Sequence, residues 1–274
     1  MYPILFHFGP LAIYSYGFFL AIAYLAGTFF FWREGRKRGY KEEKLIDFSV
    51  VILLSAIIGG RILYSLINFN LFSTNFWRIF YFWEGGFAYY GSFILVFLAG
   101  AYLIRKWKWD FFQVADIAVQ AVLLATFFGK IGSFLAGNDY GAITKFPLGV
   151  VYTFLEGPRH PVQIYEAIFS LVLFIFLYRF YQDRLKMLSQ FRSGAVFFYY
   201  LLFWSLGRLV FEQLRGDSTY LGPFRLASLL ALGVAIFSML GLYYYQFRNF
   251  RADFKVISKH IFGLNLRFKR PFRG

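Results

Sequence analysis

Seven predominantly apolar stretches alternate with short polar gaps along the chain, at residues 11–32, 47–67, 86–104, 111–136, 161–180, 194–213 and 221–245. As an α-helix, roughly 20 such residues cover the hydrocarbon thickness of a bilayer. The pattern therefore predicts an all-α integral membrane protein with seven transmembrane helices, forming a single domain over residues 1–245. Residues 246–274 follow as a basic tail. The opening MYPILFHFGP is too short for a span and lacks the basic start of a secretory signal, so it is read as an interfacial segment stopping at Pro10.

The polar gaps differ in charge. The first gap carries six Lys or Arg (Arg33, Arg36, Lys37, Arg38, Lys41, Lys44), the third three, the fifth four, and the tail after Tyr245 eight. The N-terminus and the second, fourth and sixth gaps carry none, one, two and one. Basic residues collect on the cytoplasmic side, so this alternation predicts an outside N-terminus and a cytoplasmic C-terminus. The tail is expected along the anionic inner leaflet, where each Lys or Arg contributes about 1 kcal/mol.

Composition agrees: 59% of the 274 residues are hydrophobic, 24% aromatic and 16% charged, with a net charge of +15. The basic-gap pattern places that charge at a membrane surface and makes nucleic-acid binding the weaker explanation. The chain has no Cys, which excludes disulfides, thiolate metal sites and an internal cysteine nucleophile. No metal or cofactor is expected. A thiol brought by a substrate remains compatible.

Four cations interrupt the apolar stretches or their edges: Arg61, Lys130, Arg208 and Arg225. A charge at a helix centre costs at least about 2.5 kcal/mol on insertion scales, so such groups are candidates for function. Arg208, Glu212 and Arg215 recur at i, i+4 and i+7, which places them on one helix face with Trp204 and leaves that face net positive. The same spacing also suits a purely structural ion pair. Arg61 follows Gly59-Gly60, where paired glycines permit close helix approach, and is expected to point into the bundle. Gly85, Gly86, Gly91 and Ser92 make a second small-residue seam around Tyr89-Tyr90.

The densest polar stretch is GKIGSFLAGNDYG at 129–141 followed by RHPVQIYEA at 159–167. Lys130 stands beside Gly129, Gly132 and Ser133, at a helix end or a re-entrant turn. Pro161 suits a first helical position, where its missing N–H costs nothing. Gln163 and Glu166, three apart, face one side of that first turn. These cations and carboxylates are expected to converge near one end of the bundle. Such a site suits an anionic phosphate with apolar tails, because guanidinium groups bind phosphate in a planar fork.

GGRILY, EGGFAYYGS, GKIGSFLAGNDYG, RHPVQIYEA and GRLVFEQLRGD, in that order over 59–217, resemble the signature segments of the prolipoprotein diacylglyceryl transferase family. HPVQIYE is the most specific, close to that family's His-Pro-Ser/Thr-Gln-Leu-Tyr-Glu. Where the family usually has His-Gly-Gly this chain has Tyr90-Gly91-Ser92, and where it has Gly-Arg-hydrophobic-Gly-Asn this chain has Gly129-Lys130-Ile131-Gly132-Ser133. The resemblance implies transfer of the diacylglyceryl group of phosphatidylglycerol to the thiol of a prelipoprotein lipobox cysteine, in the bacterial plasma membrane. It implies catalytic roles for Arg208, Glu212 and Tyr90, with Tyr90 standing at the position of the family's proton-transfer histidine. It assigns Arg61, Lys130, Ser133, Gly141 and Arg215 to the lipid, and His160, Gln163, Tyr165, Glu166 and Asn138 to the shape of the pocket and its loop. Two alternatives share these features: a paralogue that binds phosphatidylglycerol but uses another acceptor or none, and a membrane transporter.

Overall fold

The computed structural model describes all residues except Met1, Pro10, Thr74, Thr153, Phe154, 187–192 and 245–274. The basic tail therefore lies outside the described residues. Each predicted stretch contains a long helix: α1 (Ser15–Lys37), α2 (Glu42–Ile67), α4 (Tyr89–Lys106), α5 (Phe111–Ala136), α6 (Val162–Lys186), α7 (Ala195–Leu214) and α8 (Leu226–Leu242). A short helix α3 (Phe69–Ser73) and two 3₁₀ turns (Phe76–Phe80 and Phe82–Glu84) lie between α2 and α4. Among the described residues five helices, α1, α2, α5, α6 and α7, are long and apolar enough to cross a membrane; α8 is apolar but shorter. Their outer surfaces expose Leu25, Phe29, Phe97, Val172 and Phe237, an apolar exterior that suits a lipid solvent and would be a liability in water.

The structure departs from the sequence expectation at the helix ends. The N-terminal segment does not stop at Pro10 but forms a β-hairpin, β1 (Ile4–Phe8) paired antiparallel with β2 (Leu11–Tyr14). Two shorter hairpins follow: β3 (Val150–Val151) with β4 (Pro158–Arg159), and β5 (Tyr220–Leu221) with β6 (Phe224–Arg225). Aromatic and β-branched residues around Gly9, Gly157 and Gly222, all at positive φ, favour such turns over further helix. The fold is thus a helical bundle with hairpins at one end. Tyr2 donates its N–H to Leu135 O at 3.1 Å, which docks the first hairpin on the end of α5.

The core lies where α1, α5 and α6 meet, around Phe30, Ile117, Leu123, Leu173 and Leu177. Gly132 lets α5 approach α1 so closely that a Cβ there would come within 2.7 Å of Phe19 Cβ. A second close crossing joins α2 and α4. A Cβ on Gly59 would strike the Gly91 carbonyl, and one on Gly91 would strike the Gly59 carbonyl. Ser92 Oγ donates to Ala56 O across this crossing at 2.7 Å. Small residues let the backbones touch, the form of helix packing suited to a lipid solvent.

Candidate active site

The hairpin end of the bundle gathers the ends of α5, α6 and α7. α5 continues helically through Lys130 to Ala136 and stops at Gly137, which takes the left-handed conformation at φ 81°. The sequence had left a helix end or a re-entrant turn open here; the structure has the helix end. Gly137 donates its N–H to Phe134 O at 3.2 Å and Asn138 donates to Ser133 O at 3.0 Å, satisfying carbonyls of the last turn. The next residue, Asp139, also has positive φ (56°). Asp tolerates that region better than most side chains.

This turn folds Asp139 back over its own helix. Lys130 Nζ lies 2.9 Å from Asp139 Oδ2 and 2.5 Å from Glu166 Oε2. Glu166 comes from the first turns of α6. Pro161 stands just before that helix, one position earlier than expected, and its carbonyl accepts the Tyr165 N–H at 3.3 Å. From α7, Arg208 reaches Glu166 Oε1 at 3.3 Å and Glu212 Oε2 at 2.9 Å. Arg215 lies beyond the helix with an extended backbone (ψ 141°), not on the helical stripe the spacing predicts. Its side chain nevertheless returns to the cluster, 3.1 Å from Asp139 Oδ1 and 3.9 Å from Glu166 Oε1.

Arg215 is also bound by Asp217, through Nε at 2.8 Å and Nη2 at 2.7 Å. Lys130, Arg208 and Arg215 thus face Asp139, Glu166, Glu212 and Asp217, three cations against four carboxylates. The net positive stripe expected from sequence is therefore corrected. Asp139 and Asp217 sit in loops, where helical spacing does not place a side chain. Their adjacency to GND and RGD in the chain was the available signal. Burial acts to raise the pKa of Asp139, but Lys130 and Arg215 outweigh it and hold the carboxyl below its ordinary value.

The cluster is half-closed. The Lys130 and Arg208 side chains retain 21% and 24% exposure, against 11% for Arg215 and 1% for Glu212. Lys130 and Arg208 are thus the most exposed cations of the cluster among the described residues. Arg208 makes one side-chain hydrogen bond, the long one to Glu166, whereas Arg215 is held by Asp139 and Asp217 together.

A loop closes one side. Gly141 pairs with Arg215, with Ala142 N–H on Leu214 O at 2.8 Å and Gly216 N–H on Tyr140 O at 3.1 Å. His160 N–H on Ala142 O at 3.1 Å ties the same loop to the start of α6. A Cβ on Gly141 would collide with the His160 carbonyl, so glycine is the residue this crossing admits. Gln163 is fully buried; it donates to Asn138 O and accepts from Tyr152 Oη at 3.1 Å. The His160 ring lies against Tyr165 and Phe146, and Ser133 is buried one turn past Lys130.

Two expected members stand apart. Arg61 is buried, but its guanidinium is enclosed by one loop: Nε donates to Ile79 O at 2.9 Å, Nη1 to Gly85 O and Gly86 O, and Nη2 to Arg78 O and Tyr81 O. With every nitrogen engaged by a carbonyl, it is set up to order residues 78–86. Tyr90 stands in the first turn of α4, is 53% exposed, and packs its ring against Tyr89 at 5.8 Å.

A sequence model described as prolipoprotein diacylglyceryl transferase matches residues 3–244, which include the whole cluster. The chain belongs to the prolipoprotein diacylglyceryl transferase family. A phosphatidylglycerol–prolipoprotein diacylglyceryl transferase of Clostridium tetani is 35% identical over 224 residues, covering 79% of this chain and 86% of that protein. One from Clostridium botulinum (strain Langeland) is 32% identical over 251 residues, covering 89% and 96%. One from the cyanobacterium Trichormus variabilis is 30% identical over 248 residues, covering 88% of each chain. The diacylglyceryl transferase relationship thus extends over the helical bundle and over each segment that supplies a charge to the site.

Proposed function

We propose that the protein transfers the diacylglyceryl group of phosphatidylglycerol to the thiol of a prelipoprotein lipobox cysteine, forming a thioether and releasing glycerol phosphate. The relatives bear the name of that activity. The observation that carries the reading is the pair Lys130 and Arg208, partly open, meeting one carboxylate at the end of apolar helices. Cations at a bilayer edge suit a lipid whose charge is a phosphate and whose remainder is hydrocarbon. The chain has no Cys, so the nucleophilic sulfur comes from the acceptor.

In this reading the thiol sulfur attacks the glyceryl carbon attached to the phosphate, and the C–O bond breaks with its electron pair on the phosphate oxygen. Arg208 and Lys130 stabilise the charge that accumulates there, usually the largest contribution to such a reaction. Glu212 fixes the Arg208 fork, and Arg215 with Asp139 and Asp217 forms the floor. Gly141, Ser133, Asn138, His160, Gln163 and Tyr165 shape the pocket wall. Tyr90 was the candidate for proton transfer. Its contact with Tyr89 leaves it available to line the approach, and Arg61 orders the neighbouring loop instead of holding phosphate.

The membrane frame is part of the same proposal: seven spans in the bacterial inner membrane, N-terminus and site on the outer face, and tail 246–274 on the cytoplasmic leaflet. The basic-gap alternation supports it. Complementation of a transferase-depleted bacterium tests the function. The wild-type chain is expected to restore lipoprotein modification and Arg208→Ala to fail; full modification by Arg208→Ala would remove the phosphate assignment.

A further inference from the structure

Glu166 occupies an unusual place in the cluster. Among the described residues it is the one carboxylate that meets all three cations, Lys130 at 2.5 Å, Arg208 at 3.3 Å and Arg215 at 3.9 Å. Its two oxygens are held differently. The Lys130 ammonium meets Oε2 as a close ion pair, and a hydrogen bond of 3.3 Å joins Arg208 to Oε1. Asp139, by contrast, accepts aligned hydrogen bonds from Lys130 and Arg215, and Asp217 grips Arg215 with two. Glu166 and Glu212 each leave Oε2 without a hydrogen bond, and of the two it is Glu166 that meets both half-open cations, Lys130 and Arg208.

We infer that Glu166, once lipid phosphate engages Lys130 and Arg208, accepts the proton of the acceptor thiol. The inference rests on the function proposed above. Charge balance argues for it. Among the described residues three cations form ion pairs with four carboxylates here, so an added phosphodiester leaves two negative charges without an ion-pair partner in the cluster. A proton on Glu166 removes one of them. While the cations engage both oxygens, Glu166 has little capacity for a thiol proton; the phosphate frees it. Glu212 remains on Arg208, and Asp139 and Asp217 remain on Arg215, so Glu166 is the carboxylate released. The groups facing it are Lys130 from α5, Asp139 from the adjoining loop, Arg208 and Glu212 from α7, and Arg215.

The step balances. The thiol proton passes to a Glu166 oxygen as sulfur bonds to the glyceryl carbon. The C–O bond to phosphate breaks, and glycerol phosphate leaves with the electron pair. The proton on Glu166 then passes to the departing phosphate, and the freed carboxylate returns to Lys130 and Arg208. Turnover is thereby ordered: lipid precedes thiol, because lipid creates the proton acceptor.

The test uses the full chain in phosphatidylglycerol bilayer discs with a lipobox peptide, as wild type, Glu166→Gln and Glu166→Asp. Glycerol phosphate serves as a competing probe of the anion position. Glu166→Gln is expected to lose at least about a hundredfold in turnover at pH 7. It should bind glycerol phosphate as tightly as wild type or more tightly. Its rate should climb roughly tenfold per pH unit towards about pH 8.5, as the thiol ionises unaided. Wild type and Glu166→Asp, which keep a carboxylate, should show a flatter profile. Glu166→Gln with half or more of wild-type turnover at pH 7 would overturn the inference. So would parallel loss of turnover and glycerol phosphate binding without recovery at high pH, or a steep profile in Glu166→Asp. Absence of thioether in the wild type itself would instead refute the function on which the inference rests.

Discussion

Lys130 and Asp139 meet at 2.9 Å across the left-handed turn that ends α5, so the helix supplies a cation and the loop after it supplies the partner. Each also reaches a second charge, Glu166 or Arg215, and the turn therefore links α6 to the end of α7. The loop that shapes the site is fastened by the same residues that would bind its ligand.

An acid-range consequence follows for Asp139. Its folded pKa lies below the unfolded value of about 3.9, so its stabilising contribution is fully present above that value. It is lost as pH falls below about 4, towards the folded value. Thermal unfolding in detergent between pH 3 and pH 6 should show a drop at the acid end for wild type. Asp139→Asn should be less stable at pH 6 and show a smaller drop.

Substituting the phosphate cations should separate chemistry from folding. Arg208→Lys keeps a charge near Glu212 but loses the planar fork, and turnover should fall about tenfold or more with little change in melting temperature. Arg208→Ala should lose about 10²–10³-fold, the range for removal of one charge-stabilising donor. It also leaves Glu212 buried and unpaired, so its melting temperature should fall as well. Lys130→Arg, which supplies a fork where Lys130 has a point charge, should retain turnover, whereas Lys130→Met should not.

Arg61 makes a contrasting prediction. Five carbonyls of residues 78–86 converge on it. Hydrogen bonds involving a charged group contribute about 1.5–3 kcal/mol each. Arg61→Ala should expose this loop, measured as faster hydrogen exchange at Arg78–Gly86. Glycerol phosphate binding at the cluster should change far less than in Arg208→Ala.

The α2–α4 crossing should be intolerant of added volume. Gly91→Ala puts a methyl group against the Gly59 carbonyl, where backbone has no rotamer to yield. Forced overpacking typically costs about 1–3 kcal/mol. Gly59→Ala should behave alike, while Gly129→Ala, with open space at its Cβ position inside α5, should raise the melting temperature slightly.

Much of this was legible in the chain because apolar runs and intramembrane charges follow simple costs. The runs located the helices, and the expense of Lys130, Arg208 and Glu212 in apolar surroundings pointed to the candidate site, though the same expense also singled out Arg61, which the structure places apart from it. Glu166 was found through the company of HPVQIYE. The missed features depend on loops and on where long side chains go. Asp139 joins the cluster only because Gly137 and Asp139 both take positive φ. Arg215 joins it from beyond the helix by virtue of its reach, and Arg61 turns to a loop whose carbonyls no periodicity could place. The excess of carboxylate over cation followed from those loop residues, and it changes the chemistry expected of the site.

The most direct test of the central claim is a mass spectrum of a lipobox peptide after incubation with the purified chain and phosphatidylglycerol. The account predicts a peptide heavier by one diacylglyceryl group on its cysteine, absent when that cysteine is replaced by serine, with glycerol phosphate released in equal amount. An unmodified peptide, from protein that binds the lipid, would contradict it.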